Sequence, residues 1–263
     1  VAALRAPLLV QDDALLARQQ AALRSEVLEG NPRATEEYKD GCVVDVGLEK
    51  GKEDPKKKLT LREVSIVIPR GQKVAIVGRV GAGKSSLLKL IMRDQLATDG
   101  VVSVNGVDLA SIKDRNIPYY RRGLGIVFQD HYLLMNRTVF ENVAIPLSLI
   151  GLSDEVMARR VRAALTIVGL EALSGSKPTE LSAGERQRVG IARAVVMRPR
   201  ILLADEPTGN LDPELSLRAM ELFAQFTEIG SIVIVASHDQ FLIEQMKARV
   251  VELREGRVVH DSR

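Results

Sequence analysis

The chain has 263 residues, 46% apolar and 27% charged, which suits one folded domain with an attached subdomain and excludes disordered, collagen-like and disulfide-framework classes. Its 37 basic and 34 acidic residues leave a net charge of +3, and the cations are scattered rather than striped, which argues against a nucleic-acid footprint. Aromatics are 3% with no Trp, so base-stacking platforms are not expected and the core must be aliphatic.

In chain order, the short run Ala6-Pro7-Leu8-Leu9-Val10 stops at Asp12-Asp13, so no signal peptide is expected. Leu16, Leu23 and Val27 recur at helical spacing behind an Asp cap and end at Gly30-Asn31-Pro32, predicting a helix within an N-terminal arm of residues 1–40. That helix reads as solvated or loosely docked, with a partner-binding helix as the alternative. The first residue is Val1 and not Met, as processing, excision or a hybrid origin would leave it. Cys42 has no second cysteine to pair with and no metal-ligand spacing, and it opens the apolar run Cys42-Val43-Val44, so it is predicted as a buried strand residue. Residues 50–58 are charged and poor in apolar side chains, an exposed loop between strands.

Beyond that loop, aliphatic runs alternate with helical patterns. Val74 to Val77 precedes a helix from Ser85 to Met92, Ile201 to Ala204 precedes one from Glu214 to Glu228, and Ile232 to Ala236 follows. Runs of this kind fit strands covered on both faces, so residues 41–263 are predicted as one α/β domain with a mostly parallel core sheet. From 130 to 198 the pattern turns helical: Ser153 caps a segment that points Val156, Val161, Ala164, Leu165 and Val168 inward before Gly169 ends it, predicting a helical subdomain. The longest apolar candidate, Val143 to Leu152, falls short of the ~18 to 20 residues that span a bilayer and carries Pro146.

Gly78-Arg79-Val80-Gly81-Ala82-Gly83-Lys84-Ser85 matches G-x-x-x-x-G-K-[ST], a loop whose backbone N–H groups wrap phosphate oxygens at a helix N-terminus. The pattern arises by chance in roughly one chain in a hundred of this length, and here a predicted strand enters it and a predicted helix leaves it. Lys84 would reach the β- and γ-phosphates and Ser85 would hold Mg²⁺. Asp205-Glu206 ends another aliphatic run: Asp205 would bind the metal through water and Glu206 would polarise the attacking water. Alone, that pair also fits a helix-capping acidic turn. Two further runs end in Gln129 and His238. Singly each fits a structural role, but in an open parallel sheet ligands sit outside the strands' carboxyl ends, so the four strand ends are expected to share one nucleotide. Leu181-Ser182-Ala183-Gly184-Glu185 precedes a helix facing Val189, Ala192 and Val196 inward, with Ser182 and Glu185 at capping-box spacing. Arg186, Arg188 and Arg193 on that helix read as a solvated or ion-paired face, with a place near phosphate as the alternative.

In this order, the phosphate loop, Gln129, Leu181 to Glu185, Asp205-Glu206 and His238 resemble the ATP-binding subunits of ABC transporters over about Val43 to Val259. The resemblance implies a P-loop NTPase fold with an N-terminal antiparallel β portion and an inserted helical subdomain. It implies an ATPase using ATP and Mg²⁺, with the loop from Gly78 through Ser86 on the phosphates, Ser85, Gln129 and Asp205 at the metal, and Glu206, His238 and Gln129 catalytic. Two copies would pair head to tail, with Ser182, Ala183, Gly184 and Glu185 of one completing the ATP site of the other.

Phe128 through Leu147 looks like the bacterial cell-division branch. Asp205 through Asp212 is similar to that branch and to lipoprotein-release and macrolide-export relatives. Leu59 through Leu88 looks like multidrug-resistance-associated exporters, as a hybrid chain would. The implied partner is a polytopic membrane permease of the cell-division type, reached by a surface at Tyr132, Leu133, Leu134 and Met135, with the chain cytoplasmic and peripheral at the inner face of the plasma membrane. A nucleotide-gated dimerisation module with little hydrolysis is the alternative; action on nucleic acid is not expected.

Two departures stand out. No Phe, Tyr or Trp lies between Tyr38 and Tyr119, where family members stack adenine, a contact of about 1 to 3 kcal/mol. Ala183 replaces the usual Gly of the signature, where a β-carbon is expected to hinder approach to phosphate or to strain a positive φ.

Overall fold

The computed structural model describes residues 41–47 and 60–263. The predicted N-terminal helix and the charged loop at 50–58 lie outside the described residues. Among the described residues ten strands and seven α-helices follow in order: β1 (Gly41–Val46), β2 (Val64–Pro69), β3 (Lys73–Val77), α1 (Lys84–Ile91), β4 (Val101–Val104), β5 (Val107–Asp108), α2 (Ile117–Arg122), β6 (Leu124–Val127), α3 (Val139–Ser148), α4 (Asp154–Ile167), α5 (Ala183–Val195), β7 (Ile201–Asp205), α6 (Pro213–Glu228), β8 (Ile232–Ala236), α7 (Gln240–Met246), β9 (Arg249–Arg254) and β10 (Arg257–Asp261).

The strands form two sheets. One, ordered β2-β1-β4-β5, is antiparallel throughout. The other, ordered β10-β9-β3-β8-β7-β6, is parallel from β9 to β6 and closes with the antiparallel β10. Strands β7 and β8 show why their sequences read as continuous apolar runs. Ile201, Leu203, Ile232, Ile234 and Ala236 enter the core between the sheets, while Leu202, Ala204, Val233 and Val235 pack on the other side against Ala219, Met220, Phe223 and Phe226 of α6. With both faces covered, the period of two brings no polar residue to water. Cys42 is fully buried on β1, as predicted, and burial pushes its thiol pKa up to about 12.

A third core is helical: Val139, Val143 and Leu147 of α3, Val161, Ala164 and Leu165 of α4, and Val189 and Ala192 of α5 meet there with Leu133. Val156 and Val168, expected inward, are half-buried. Helix α5 serves two cores at once, because Ile191, Ala194 and Val195 on its other face pack on the sheet. Its approach is close: a Cβ on Gly125 of β6 would lie 2.4 Å from the Ala194 carbonyl oxygen, so this strand position needs glycine. Among the described residues, no helix is long and apolar enough to cross a membrane.

Candidate functional site

The phosphate loop leaves β3 and enters α1. Gly83 is the N-cap of α1 at φ 106, and a Cβ there would come 2.7 Å from Leu61 Cδ2, so the left-handed turn that points N–H groups outward demands glycine. Backbone bonds from Ala82 N to Arg79 O (3.0 Å) and from Gly256 N to Ala82 O (3.1 Å) hold the loop's shape. Arg79 and Val80 are exposed at its tip and Gly81 faces open space. The Lys84 ammonium is 8% exposed, donates to the Gly78 carbonyl oxygen at 2.7 Å and lies 3.9 Å from Glu206 Oε1. Its charge is therefore held at the loop by groups a phosphate would replace. Ser86, one residue on, lines a separate cavity of about 120 Å³ with Thr60, Leu61 and Leu90.

The four adjacent strands β3, β8, β7 and β6 deliver the remaining groups from their carboxyl ends. A cavity of about 520 Å³ beside α1 is lined by Ser85, Gln129 and Asp205 together with Lys89 and Phe128. Asp205 accepts a hydrogen bond from the Ser85 hydroxyl; burial is the largest influence and, with the neighbouring Glu206 charge, raises its carboxyl pKa above the usual range. Hydroxyl, amide carbonyl and carboxylate are hard oxygen donors, the set a magnesium ion accepts alongside water and phosphate. Among the described residues no group of three or more His, Cys, Asp or Glu gathers to hold a metal, so any ion here would lean on the Ser85 hydroxyl and the Gln129 amide oxygen as well as on Asp205.

Glu206 follows β7 at φ 46, a left-handed backbone, with its N–H bonded to the Ala236 carbonyl at 2.9 Å. Its carboxylate is 15% exposed and has two supports from the end of β8. His238 Nδ1 lies 2.9 Å from Oε1, and the Ser237 hydroxyl lies 3.3 Å from Oε2. The bond fixes the hydrogen on Nδ1 and leaves Nε2 as the other nitrogen for a ligand, on a side chain that is 72% exposed. A carboxylate held this way can accept a proton, and the exposed imidazole beside it can offer its free nitrogen to a ligand. Ser237 was not read from the sequence. Its signal was its place as the polar residue between a wholly buried strand and His238.

Ser182, Ala183, Gly184 and Glu185 stand apart from this cavity. The capping box forms as predicted, with Ser182 Oγ accepting from Glu185 N at 3.2 Å and Glu185 Oε2 accepting from Ser182 N at 2.8 Å. Hydrogen bonds from Ser182 hold the Glu185 carboxyl below its usual range. None of the four lines the cavity at Ser85 and Asp205; Gly184 instead packs beside Asn210 and Leu211, past Glu206. Ala183 begins α5 and is absent from the positive-φ residues, so the expected strain there is corrected. What remains is its exposed methyl at the helix start.

The arginines of α5 also differ from expectation. Arg186 donates to the Leu181 carbonyl, Arg188 to Val168 and Gly169, and Arg193 to His131 and Tyr132. They are half-buried and serve loop carbonyls that lack strand or helix partners, which periodicity along one helix cannot reveal. Of the segment after Gln129, Leu133 is core, while Tyr132, Leu134 and Met135 are exposed.

Residues 61–209 match the family model described as ABC transporter. The chain belongs to the ABC transporter family. This ABC protein is 47% identical over 196 residues to the cell division ATP-binding protein FtsE of Escherichia coli (strain K12), a match covering 74% of this chain and 88% of that one. It is 43% identical over 201 residues to FtsE of Bacillus subtilis (strain 168), covering 76% and 88%. Its fold is similar to the dimeric structure of MJ0796, a bacterial ABC transporter cassette, at a TM-score of 0.77 and 31% identity over 85% of this chain and 99% of that one. It is similar also to a post-hydrolysis dimer of that cassette bound to ADP and Pi, at a TM-score of 0.76. As an ABC cassette the chain binds ATP and hydrolyses it, and the expected P-loop α/β fold is the one observed.

Proposed function

We propose that this ABC cassette is the ATPase subunit of a cell-division type ABC complex, in which two copies close around ATP to drive or gate a polytopic, FtsX-like permease. The observation that carries the reading is the convergence of Lys84, Ser237 and His238 on Glu206 at the ends of three adjacent strands, with Gln129 of the fourth on the cavity that Ser85 and Asp205 line. Ser85, Gln129 and Asp205 would hold Mg²⁺, which when bound neutralises phosphate oxygens. The loop Gly78 to Ser86 orients the triphosphate, Lys84 moves from the Gly78 carbonyl to it, Glu206 takes the proton of the attacking water, and His238 bonds the γ-phosphate. Phosphoryl transfer needs positioning and electrostatics, and these groups supply both.

The separation of Ser182 to Glu185 from the cavity supports a head-to-tail dimer, in which those residues meet the partner subunit's nucleotide. Residues 41–263 act as one nucleotide-binding domain whose helical subdomain, about 130–198, carries both Gln129's following turn and the signature. Through the permease the complex would sit at the cytoplasmic face of the membrane. The support given to Glu206 by Ser237 and His238 favours an enzyme over a module that merely dimerises.

Glu206→Gln tests this. Phosphate release is expected to fall by about 10²- to 10⁴-fold with ATP binding retained and an ATP-dependent dimer accumulating on size exclusion. Turnover at the parent rate removes Glu206 as the base. Capture of the permease by that trapped dimer, compared with capture of lipoprotein-release or macrolide-export permeases, decides the partner.

A further inference from the structure

Two consecutive non-glycine residues, His131 at φ 58 and Tyr132 at φ 45, are left-handed in the turn that follows Gln129. Such a pair is unfavourable for side chains with a β-carbon, so something outside the turn must hold it. Within the turn, His131 N donates to Phe128 O at 3.3 Å and Tyr132 N to Asp130 O at 2.6 Å. These bonds close the loop on itself without anchoring it. The anchor comes from a residue 61 positions away: Arg193 of α5 sends Nη1 to the Tyr132 carbonyl at 2.8 Å and Nη2 to the His131 carbonyl. The two carbonyls of the strained pair are thus gripped by one planar fork, a geometry that guanidinium supplies and an ammonium does not. The far end of the same segment is held separately by buried Asn142 of α3, which accepts from Leu134 N and donates to the carbonyls of Leu134, Arg137 and Thr138.

We propose that Arg193 is a positioning residue for Gln129: its fork keeps His131-Tyr132 left-handed, aims Gln129 at the phosphate cavity, and transmits displacement of the signature helix to it. Helix α5 starts at Ser182 to Glu185 and reaches Arg193 within its last turn, so closure against a second subunit at one end moves the grip at the other. The inference rests on the reading of Gln129 as a group that works at the metal and the attacking water.

The test uses the full chain with Arg193→Ala, Arg193→Lys, Gln129→Ala and the double change Arg193→Ala/His131→Gly. Amide hydrogen exchange across residues 130–135 is measured without nucleotide, and ATPase is measured against ATP and Mg²⁺ concentration. In Arg193→Ala, exchange there is expected to rise about tenfold, kcat to fall about tenfold and half-saturating Mg²⁺ to rise, with KM for ATP within about twofold. Arg193→Lys falls between it and the parent. Adding His131→Gly restores most of the protection and rate, because glycine takes a left-handed φ unaided.

Unchanged exchange in Arg193→Ala overturns the grip. Raised exchange with parent kcat and Mg²⁺ dependence overturns the positioning role. A defect that His131→Gly does not relieve, accompanied by a lower melting temperature, assigns Arg193 to general packing and overturns it as well. Parent-like turnover in Gln129→Ala instead sinks the reading of Gln129 itself, while the exchange data still decide whether the grip exists.

Discussion

Glu206 sits in a backbone conformation that disfavours a glutamate, and its neighbours make that conformation hold. The bond from its N–H to the Ala236 carbonyl and the two side-chain bonds from Ser237 and His238 fix both ends of the residue. Ser237 is buried and also accepts from Asp239 N at 3.1 Å, so it shapes the turn that presents His238. Ser237→Ala is expected to lower kcat about tenfold, the scale of one hydrogen bond to a charged group, with ATP affinity unchanged in a binding titration. Asp205 shows the opposite balance between stability and work. Its folded pKa is raised, chiefly by burial, so the ionised form present at neutral pH is disfavoured in the fold; the stability it contributes belongs to the protonated form and is lost as pH rises through the folded pKa. Asp205→Asn is therefore expected to raise the melting temperature of the nucleotide-free protein at pH 7 while removing Mg-dependent ATP turnover. At this scale the placement of Lys84, Ser85, Asp205 and Glu206 was legible from the loop pattern and from the end of an aliphatic run, whereas His238 alone fitted a structural role and drew its expected part from the resemblance. Ser237 and Arg193 were not, because each acts on a group far away in the chain.

Helix α5 is the element on which the structure turns. Its start carries the signature residues, one face builds the helical core, another lies on the sheet, and its arginines tie down two loops. The close approach at Gly125 makes a sharp prediction: Gly125→Ala places a methyl against the Ala194 carbonyl and Pro199, costing on the order of 1 to 3 kcal/mol, measurable as a lower denaturant midpoint. Helix starts were the most legible part of the secondary structure. Ser153 and Ser182 each accept from the backbone N–H three residues on, as expected, because a cap is a local bargain between neighbours; Asp212 caps α6 in the same way, one residue ahead of Pro213, where the sequence reading began the helix at Glu214. The reach of Arg186, Arg188 and Arg193 was illegible, since helical periodicity locates a face but not the carbonyls opposite it.

Across the whole molecule, the two sheets are joined by a half-buried charge cluster. Arg249 of β9 donates to both oxygens of Asp261 on β10, at 2.7 and 2.6 Å, to the Val67 carbonyl on β2 and to Gln72. Hydrogen bonds from Arg249 hold the Asp261 carboxyl below its usual range, with Arg263 adding to the effect. A depressed folded pKa means that this stability is present above the unfolded carboxylate pKa and is lost as pH falls through the folded value. Asp261→Asn is expected to destabilise the protein at neutral pH and to flatten the fall of melting temperature in acid, checked by thermal denaturation between neutral and acid pH.

Taken by itself, the amino-acid sequence determined which runs become buried strands, where capped helices begin, and which glycine-rich loop turns a strand into a helix N-terminus, because those follow from period, caps and glycine within a few residues of each other. Tertiary structure alone decided that β3, β8, β7 and β6 lie side by side, so that Lys84 and His238 meet at Glu206, and Ser85, Gln129 and Asp205 line one cavity that Ser182 to Glu185 do not reach. Strand order and the reach of a side chain across the core depend on packing between distant segments, and no local pattern along a chain encodes that distance.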